Sequence, residues 1–325
     1  MSTRVEVDHA VDPLVFVIAH YTTTMPLPRL QYQVVNAFAP TPHAGNQASV
    51  VLLPAGDPRA RDDGYLQAVA ADFNLAETAY LEPLSPTASV PTYALRWFTP
   101  VEEVPLCGHA TLAAAHVLFT LHPQADELAF ETRWRGTLRA HREGEGVRLD
   151  LPVAEVTPHP DASVGAVVAA ALGFAEEDIL RVGVYDYGGD TPVVQLRPGV
   201  DLASLVLDKS RLGDKVPVIL VVTQLAESGE TLRANARVFD PYLADPEDPV
   251  TGSAWATLTG YYLAGMGSAD AAAALGVAAD ALGAAEIDAR QLSRRGGGML
   301  CRLVEGRAHL VGRGWRTHVG ELEVL

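Results

Sequence analysis

The chain lacks the features that a disulfide-stapled fold or a nucleic-acid-binding surface would need. Its 325 residues include only two cysteines, Cys107 and Cys301, which cannot form a disulfide framework and suit a reducing cytoplasm. Lysine and arginine number 24 against 40 aspartates and glutamates, so the formal net charge is −16. Because binding to a phosphate backbone depends on Lys and Arg, we expect no nucleic-acid partner.

Long apolar runs are also missing. The run at residues 14–19 is far shorter than the roughly 20 residues that span a bilayer. Asp8 and Asp12 precede it, where a secretory signal would carry basic residues. We therefore expect a cytoplasmic protein without a membrane partner. Residues 1–28 differ from the rest and are interpreted as an N-terminal extension, with Met25 as an alternative start and an added strand near residues 15–21.

The common signatures of metal, nucleotide and serine-nucleophile chemistry are absent as well. The sequence has no His-Glu-x-x-His motif and no paired Cys-x-x-Cys motif. His109 and His116 would lie about 10 Å apart along a helix, too far to share one metal ion. Ser253 does not stand in a Gly-x-Ser-x-Gly elbow, and no Walker-type loop occurs. We expect neither a bound metal nor a cofactor.

What the sequence does contain is a series of short strand patterns, interrupted by one prominent helix in each half. Strand patterns occur, for example, at residues 32–38, 93–100, 191–196, 216–223 and 231–239. Helical patterns occur at residues 65–73, ending at Asn74, and at residues 164–172, ending at Gly173. Regular strand–helix–strand alternation is not seen. The prediction is therefore an α+β protein of mostly antiparallel sheets curved around helices.

A composition shift at residues 151–153 predicts a boundary between two domains. We expect a first lobe at residues 29–150, completed by the last strand at residues 316–325. The second lobe would then occupy residues 151–315.

Each half has a glycine turn that opens its prominent helix, which suggests a duplicated architecture with a site between the halves. The first turn is Cys107-Gly108-His109, and the second is Thr251-Gly252-Ser253, preceded by Asp248. Helix starts present unpaired N–H groups and a positive dipole end, so they can hold an anion. Asp248 has an alternative role of similar weight, because an acid near a helix start stabilises the helix by about 0.3–1 kcal/mol without any chemistry.

Three further residue types are candidates for proton transfer. Glu77 is a lone acid in an apolar strand-like run, and burial would raise its pKa towards the range of a general acid or base; the alternative is an outward-facing strand position. His109 is suited to proton transfer near neutral pH. Cys107 could have a lowered pKa at its helix start. A two-thiol epimerase would need a second cysteine at the corresponding turn, where Thr251 stands, so Cys107 is interpreted as a packed residue.

Taken together and in order, five motifs resemble the PhzF family of phenazine-biosynthesis-like proteins. They are Gly45-Asn46, Asn74-Leu75-Ala76-Glu77-Thr78, Arg96-Trp97-Phe98-Thr99-Pro100, Gly108-His109-Ala110-Thr111 and Asp248-Pro249-Val250-Thr251-Gly252-Ser253-Ala254. The resemblance implies the diaminopimelate-epimerase-like fold, in which two similar lobes each wrap a curved sheet around a central helix. The chain departs from the pattern at Gln47, where the family commonly has proline, and at Cys107.

The resemblance also implies a function and a site. The family's reference reaction is the cofactor-free isomerisation of trans-2,3-dihydro-3-hydroxyanthranilate, so we expect an isomerase of a biosynthetic process that acts on a small carboxylate as a homodimer. Glu77 matches the family's acid/base glutamate, with His109 and Asp248 as further catalytic residues. The expected substrate-binding residues are Asn46, Cys107, Gly108, Thr251, Gly252 and Ser253. Two alternatives stay open: an amino-acid epimerase that uses Cys107, and a small-ligand binder without catalysis.

Overall fold

The structure, a computed structural model, describes residues 29–226, 229–241 and 245–323. The predicted N-terminal extension, its late start and its added strand lie outside these residues. The first-half strands are β1 (Arg29–Ala37), β2 (Asn46–Leu52), β3 (Glu77–Ser85), β4 (Thr92–Phe98), β5 (Glu103–Val104), β6 (Glu127–Thr132), β7 (Thr137–Glu143) and β8 (Gly146–Pro152). The later strands are β9 (Thr157–Pro158), β10 (Ile179–Asp186), β11 (Asp190–Leu196), β12 (Leu220–Leu225), β13 (Leu232–Phe239), β14 (Glu247–Asp248), β15 (Glu286–Gln291), β16 (Gly297–Val304), β17 (Arg307–Gly312) and β18 (Gly314–Glu323). The α-helices are α1 (Asp63–Phe73), α2 (Gly108–Leu121), α3 (Val164–Leu172), α4 (Gly252–Leu263) and α5 (Ser268–Leu275).

The order in which the strands pair shows that one arrangement is used twice. In the first half β2 runs parallel to β3, β3 pairs antiparallel with β4, and β4 runs parallel to β6, which leads into the β6–β7–β8 meander. In the second half β11, β12, β13, β15, β16 and β17 repeat the same sequence of pairings. The chain is thus a two-lobed α+β protein with mostly antiparallel sheets, as predicted.

Two contacts complete the sheet. The last strand, β18, pairs antiparallel with the first strand, β1, and β17 pairs with β8 of the first half. The predicted lobe boundaries, at residues 150 and 315, stay a prediction.

Parallel neighbours need a crossover connection, and this requirement places the two central helices. The crossover from β4 to β6 contains α2, and the crossover from β13 to β15 contains α4 and α5. Helices α2 and α4 are rich in alanine and buried on nearly every side, which is expected of a helix wrapped by a sheet. None of the helices in the described ranges is both long and apolar enough to cross a bilayer.

The local predictions were mostly confirmed, with one boundary wrong. Helix α1 begins where the Asp62 side chain accepts a hydrogen bond from the Tyr65 N–H, and it ends at Asn74 with a φ of 48°. The predicted strand at residues 216–223 begins only at Leu220, with β12. Pro217 lies in the missing part, and proline cannot donate to a strand ladder.

Candidate functional site

The starts of α2 and α4 face each other at the junction of the two lobes. A Cβ atom added to Gly108 would lie 3.1 Å from the Cα of Gly252, and the reverse substitution meets the same distance. The residues that precede the helices, Cys107 and Thr251, do not cap them with their side chains. The first N–H groups of a helix lack an acceptor within the helix, and at α2 those of His109 and Ala110 interact with the Cys107 thiol. Two positive dipole ends therefore meet at one place.

Asn46, at the start of β2, links the two lobes beside these helix starts. Its side-chain Nδ2 donates to Asp248 Oδ1 at 2.7 Å and to the Val250 carbonyl at 3.1 Å, and it lies 3.3 Å from His109 Nδ1. The preceding residue, Gly45, has a φ of 77°, and a Cβ there would meet the Ala37 carbonyl oxygen at 2.3 Å. Only glycine fits this turn, so the Gly-Asn pair is required by the backbone as well as by the contacts of the amide.

Glu77 is the first residue of β3 and is buried, with 7% of its surface exposed. Its Oε2 atom has no hydrogen-bond partner among the described residues. Burial raises the pKa of this carboxyl well above its ordinary value of 4.5, and the negative charges of Asp248 and Glu102 act in the same direction. The predicted outward-facing alternative is therefore wrong, and Glu77 is an enclosed acid with one oxygen that no described residue pairs with.

His109 is the second residue of α2. Its Nδ1 lies 3.3 Å from Cys107 Sγ and from Asn46 Nδ2, while its Nε2 is buried without a partner in the described part of the chain. Burial lowers the pKa of this imidazole to about 4, against the opposing effect of a backbone contact with Gln47. The ring is therefore neutral at physiological pH, and its Nε2 is a buried atom that no described residue pairs with.

Asp248 is held from several sides. The Thr251 hydroxyl and the Asn46 amide donate to its two carboxylate oxygens. Burial raises the pKa of Asp248, and these two hydrogen bonds oppose the shift. Because both carboxylate oxygens already accept a hydrogen bond, Asp248 is fixed in orientation, in contrast to Glu77.

Gln291, which was not predicted from the sequence as a site residue, fixes the Asp248 turn. Its Nε2 donates to the Asp248 carbonyl at 2.7 Å, and its Oε1 accepts from the Thr251 N–H at 2.9 Å and from Trp255 Nε1 at 3.2 Å. Gln291 is 1% exposed. None of the five motifs contains Gln291, because its contact depends on how β15 lies beside the turn.

Tyr187, directly after β10, is a second residue that the sequence analysis missed. Its hydroxyl donates to the Leu106 carbonyl at 3.2 Å and interacts with the Ser253 hydroxyl, so it bridges the starts of the two helices. Burial raises the pKa of Tyr187 to about 12, which the Ser253 contact partly offsets. No motif marks this residue, since a tyrosine at a strand end is common.

The structure brings all nine predicted site residues around the two helix starts, but it corrects one expectation for Cys107. Burial raises the pKa of the Cys107 thiol well above its ordinary value of 9, and the nearby Glu77 adds to the shift. Burial thus outweighs the helix start, and the predicted lowering of the pKa is wrong. Within the described ranges no three His, Cys, Asp or Glu side chains are grouped so that they could hold a metal ion.

The raised pKa of Glu77 predicts a pH-dependent cost in stability. Below about pH 4.5 the carboxyl is protonated in both the folded and the unfolded chain, so its burial as a neutral group leaves the fold stable. As pH rises towards and through the higher pKa of the folded state, the unfolded chain releases this proton more readily, and the free energy of unfolding falls. Glutamine stays uncharged, so Glu77→Gln should raise the melting temperature at pH 8, by a margin that shrinks towards pH 4. Thermal unfolding of the variant and the wild type from pH 4 to 8 measures this difference in melting temperature. The control is Glu102→Gln, which changes an exposed glutamate nearby. An equal margin at every pH would contradict it.

Fold and site together define a two-lobed α+β protein whose lobes meet at two facing helix starts, with enclosed acids beside them. Comparison with known proteins then identifies the family. The sequence model of the phenazine biosynthesis-like proteins, PhzC-PhzF, matches residues 35–298. The chain therefore belongs to the PhzC-PhzF family, which confirms the resemblance found in the motifs.

Individual relatives agree with this assignment. The chain is 36% identical over 250 residues to the mouse phenazine biosynthesis-like domain-containing protein 1, covering 72% of this chain and 83% of that protein. It is 37% identical over 234 residues to an uncharacterized isomerase of Pseudomonas aeruginosa, covering 72% and 82%. A solved PhzF-family structure from Enterococcus faecalis matches with a TM-score of 0.71 at 30% identity, over 91% of this chain and all of that one (100%).

Proposed function

We propose that this protein is a cofactor-independent isomerase that moves a proton on a small conjugated carboxylate by general acid/base catalysis. The observation that carries the proposal is a pair of buried atoms in the site, Glu77 Oε2 and His109 Nε2, for which the described residues supply no hydrogen-bond partner. Leaving a buried polar group unpaired costs about 1–3 kcal/mol. A ligand that offers partners to both atoms would recover this free energy, so the site favours a bound molecule between them.

Substrate binding would use the starts of α2 and α4. The site-lining side chains are acidic or neutral: Glu77, Asp248, His109, Cys107 and Tyr187. The positive ends of two helices are then the groups suited to a carboxylate. Tyr187 and Asn46 hold the two lobes together around this position, which would fix the substrate relative to Glu77.

The chemical step would be carried by Glu77. Its carboxylate form removes a proton from a carbon next to the conjugated system, and the electron pair moves into that system. The carboxyl exchanges this proton with solvent and then returns a proton at another carbon, so no cofactor is consumed and deuterium from the solvent enters the product. The raised pKa makes the ionised Glu77 a stronger base than an ordinary carboxylate. His109 would orient the substrate through Nε2 as a neutral imidazole, and Asp248 would act from its fixed orientation.

An epimerase that uses Cys107 fits the structure less well. Cys107 and Thr251 precede α2 and α4 in the same way, so Thr251 is the counterpart of Cys107 and supplies no thiol. Burial also keeps Cys107 in its thiol form by raising its pKa. A family member that binds a ligand without catalysis would share the geometry, and only measured proton exchange separates it from the isomerase.

We further propose that the protein works as a homodimer in the cytoplasm, without nucleic-acid or membrane partners. The net charge of −16 supports the absence of a nucleic-acid partner. The long strand β18 supports self-association, because Trp315 and Val319 are exposed along it, with 36% and 61% of their surfaces accessible. Exposed apolar side chains on a long strand favour pairing with another chain.

A screen for solvent-deuterium uptake tests the proposed reaction. The purified protein is incubated in deuterium oxide with conjugated cyclic and acyclic carboxylates, including trans-2,3-dihydro-3-hydroxyanthranilate, and each compound is analysed by mass spectrometry. We expect catalysed deuterium uptake at a carbon of at least one conjugated compound and none in its saturated analogue. Binding of such compounds without any uptake would favour the non-catalytic alternative.

A further inference from the structure

A second polar cleft lies on the face of β2 opposite to Asn46. It has a volume of about 300 Å³ and is lined by Asn36, His43, Gln47, Arg295, Thr317 and His318. Asn36 and Gln47 are directly paired across β1 and β2. Successive strand residues face opposite sides of a sheet, so the side chain of Gln47 points away from the site that contains Asn46.

The cleft is suited to an anion in a chain that is otherwise strongly acidic. Among the described residues, its lining contains a guanidinium and two imidazoles but no carboxylate. Arg295 Nε donates to the Gly45 carbonyl at 2.8 Å, and Nη2 lies 3.4 Å from the Ala44 carbonyl, which leaves Nη1 without a hydrogen bond among the described residues. Burial and the charge of Arg294 lower the pKa of Arg295. A negatively charged ligand bound beside Arg295 would therefore stabilise its positive charge.

Asn36 adds a requirement for a hydrogen-bond donor. It is 2% exposed, its Nδ2 donates to the Pro42 carbonyl at 2.7 Å, and its Oδ1 has no partner within the described ranges. The ligand that satisfies both sides of the cleft must accept from Arg295 and donate to Asn36. Gln47, which stands where the PhzF pattern commonly has proline, adds an amide that can donate or accept.

We propose that this cleft binds inorganic phosphate. Near neutral pH phosphate carries both negative oxygens for Arg295 and an O–H for Asn36 Oδ1. A carboxylate or a sulfate has similar oxygens but no proton to donate. The bound anion would lie close to the catalytic cleft, because Arg295 and the Gly296 carbonyl both contact Gly45, the residue before Asn46.

Titration with inorganic phosphate tests the site by isothermal calorimetry. We expect saturable binding by the wild-type chain and binding at least about tenfold weaker by Arg295→Gln, because a charge-assisted hydrogen bond is lost. Arg294→Gln, the exposed neighbour, should stay within about threefold of wild type because such a surface charge contributes little. Sulfate should bind at least about tenfold more weakly than phosphate, since Asn36 would lose its donor.

The location of the bound anion is read from the histidine resonances of an isotope-labelled protein. The resonances of His43 and His318 should shift when phosphate is added, while that of His109 should not. A shift of the His109 resonance alone would indicate that the anion binds in the site between the lobes, which would overturn the proposal. Absence of saturable phosphate binding, or equal affinity in a folded Arg295→Gln variant, would overturn the proposal. If that variant does not fold, Gln47→Leu decides: weaker phosphate binding supports the site and unchanged binding refutes it. None of these outcomes depends on isomerase activity.

Discussion

Replacing Glu77 with glutamine is expected to lower the catalysed proton-exchange rate by about 10²–10⁴-fold, the usual contribution of one general acid/base group. Glutamine has nearly the same shape but cannot accept and return a proton. Because Glu77 Oε2 forms no hydrogen bond with the described residues, the change breaks no contact that holds the fold. The loss should therefore appear in the turnover rate, while substrate binding changes little.

The matched control is Glu102→Gln. Glu102 is exposed, and its charge acts on Glu77, so this variant removes a neighbouring carboxylate without touching the site. Glu102 contributes less to the raised pKa of Glu77 than burial and Asp248 do, so this variant should retain exchange close to the wild-type rate. Undiminished deuterium uptake in a folded Glu77→Gln protein would exclude Glu77 as the group that carries the proton.

Replacing Gly252 with alanine is the second change for which a large effect is expected. The added Cβ would lie 3.1 Å from Gly108 Cα and 3.2 Å from Phe38 Cε2. Backbone atoms at the facing helix start cannot move aside as a flexible side chain would, so the two helix starts must separate. Contacts this short require the neighbours to move by a few tenths of an ångström, and since a misplacement of about 1 Å can lower the rate by about 10²-fold, we expect a loss of about tenfold.

Gly283→Ala is the control for this substitution, because a Cβ there would meet no atom within 4 Å. It should have nearly wild-type activity and stability. Steady-state exchange rates and thermal unfolding of both variants give the comparison. If Gly252→Ala kept full activity, the close approach of the two helix starts would have no part in the reaction.

Most of the secondary structure could be predicted from the sequence, because helices and strands are indicated by local patterns of residues. The helix at α3, for example, ends at Gly173 with a φ of 77°, as the glycine predicts. The position of β12 was misjudged because Pro217 interrupts an apolar run whose hydrophobicity otherwise indicates a strand. The duplicated architecture was predicted from two similar helix starts, and the repeated order of strand pairing confirms it.

Contacts between distant parts of the chain could not be predicted in the same way. Gln291 and Tyr187 reach the site only because β15 and the β10–β11 hairpin fold beside the helix starts. The pKa of Cys107 depends on its burial next to Glu77, which no short motif reports. The motifs identified the candidate residues on the two helix starts, whereas the residues that hold them in place needed the fold.

The central claim is that a carboxylate substrate lies between the two helix starts with its reactive carbon against Glu77. A crystal structure of the Glu77→Gln protein with a compound identified in the deuterium screen tests it most directly. The account predicts the carboxylate at the N–H groups that begin α2 and α4, with the reactive carbon about 3–3.5 Å from the side chain at position 77. A ligand bound elsewhere, or one whose carboxylate points away from both helix starts, would contradict it.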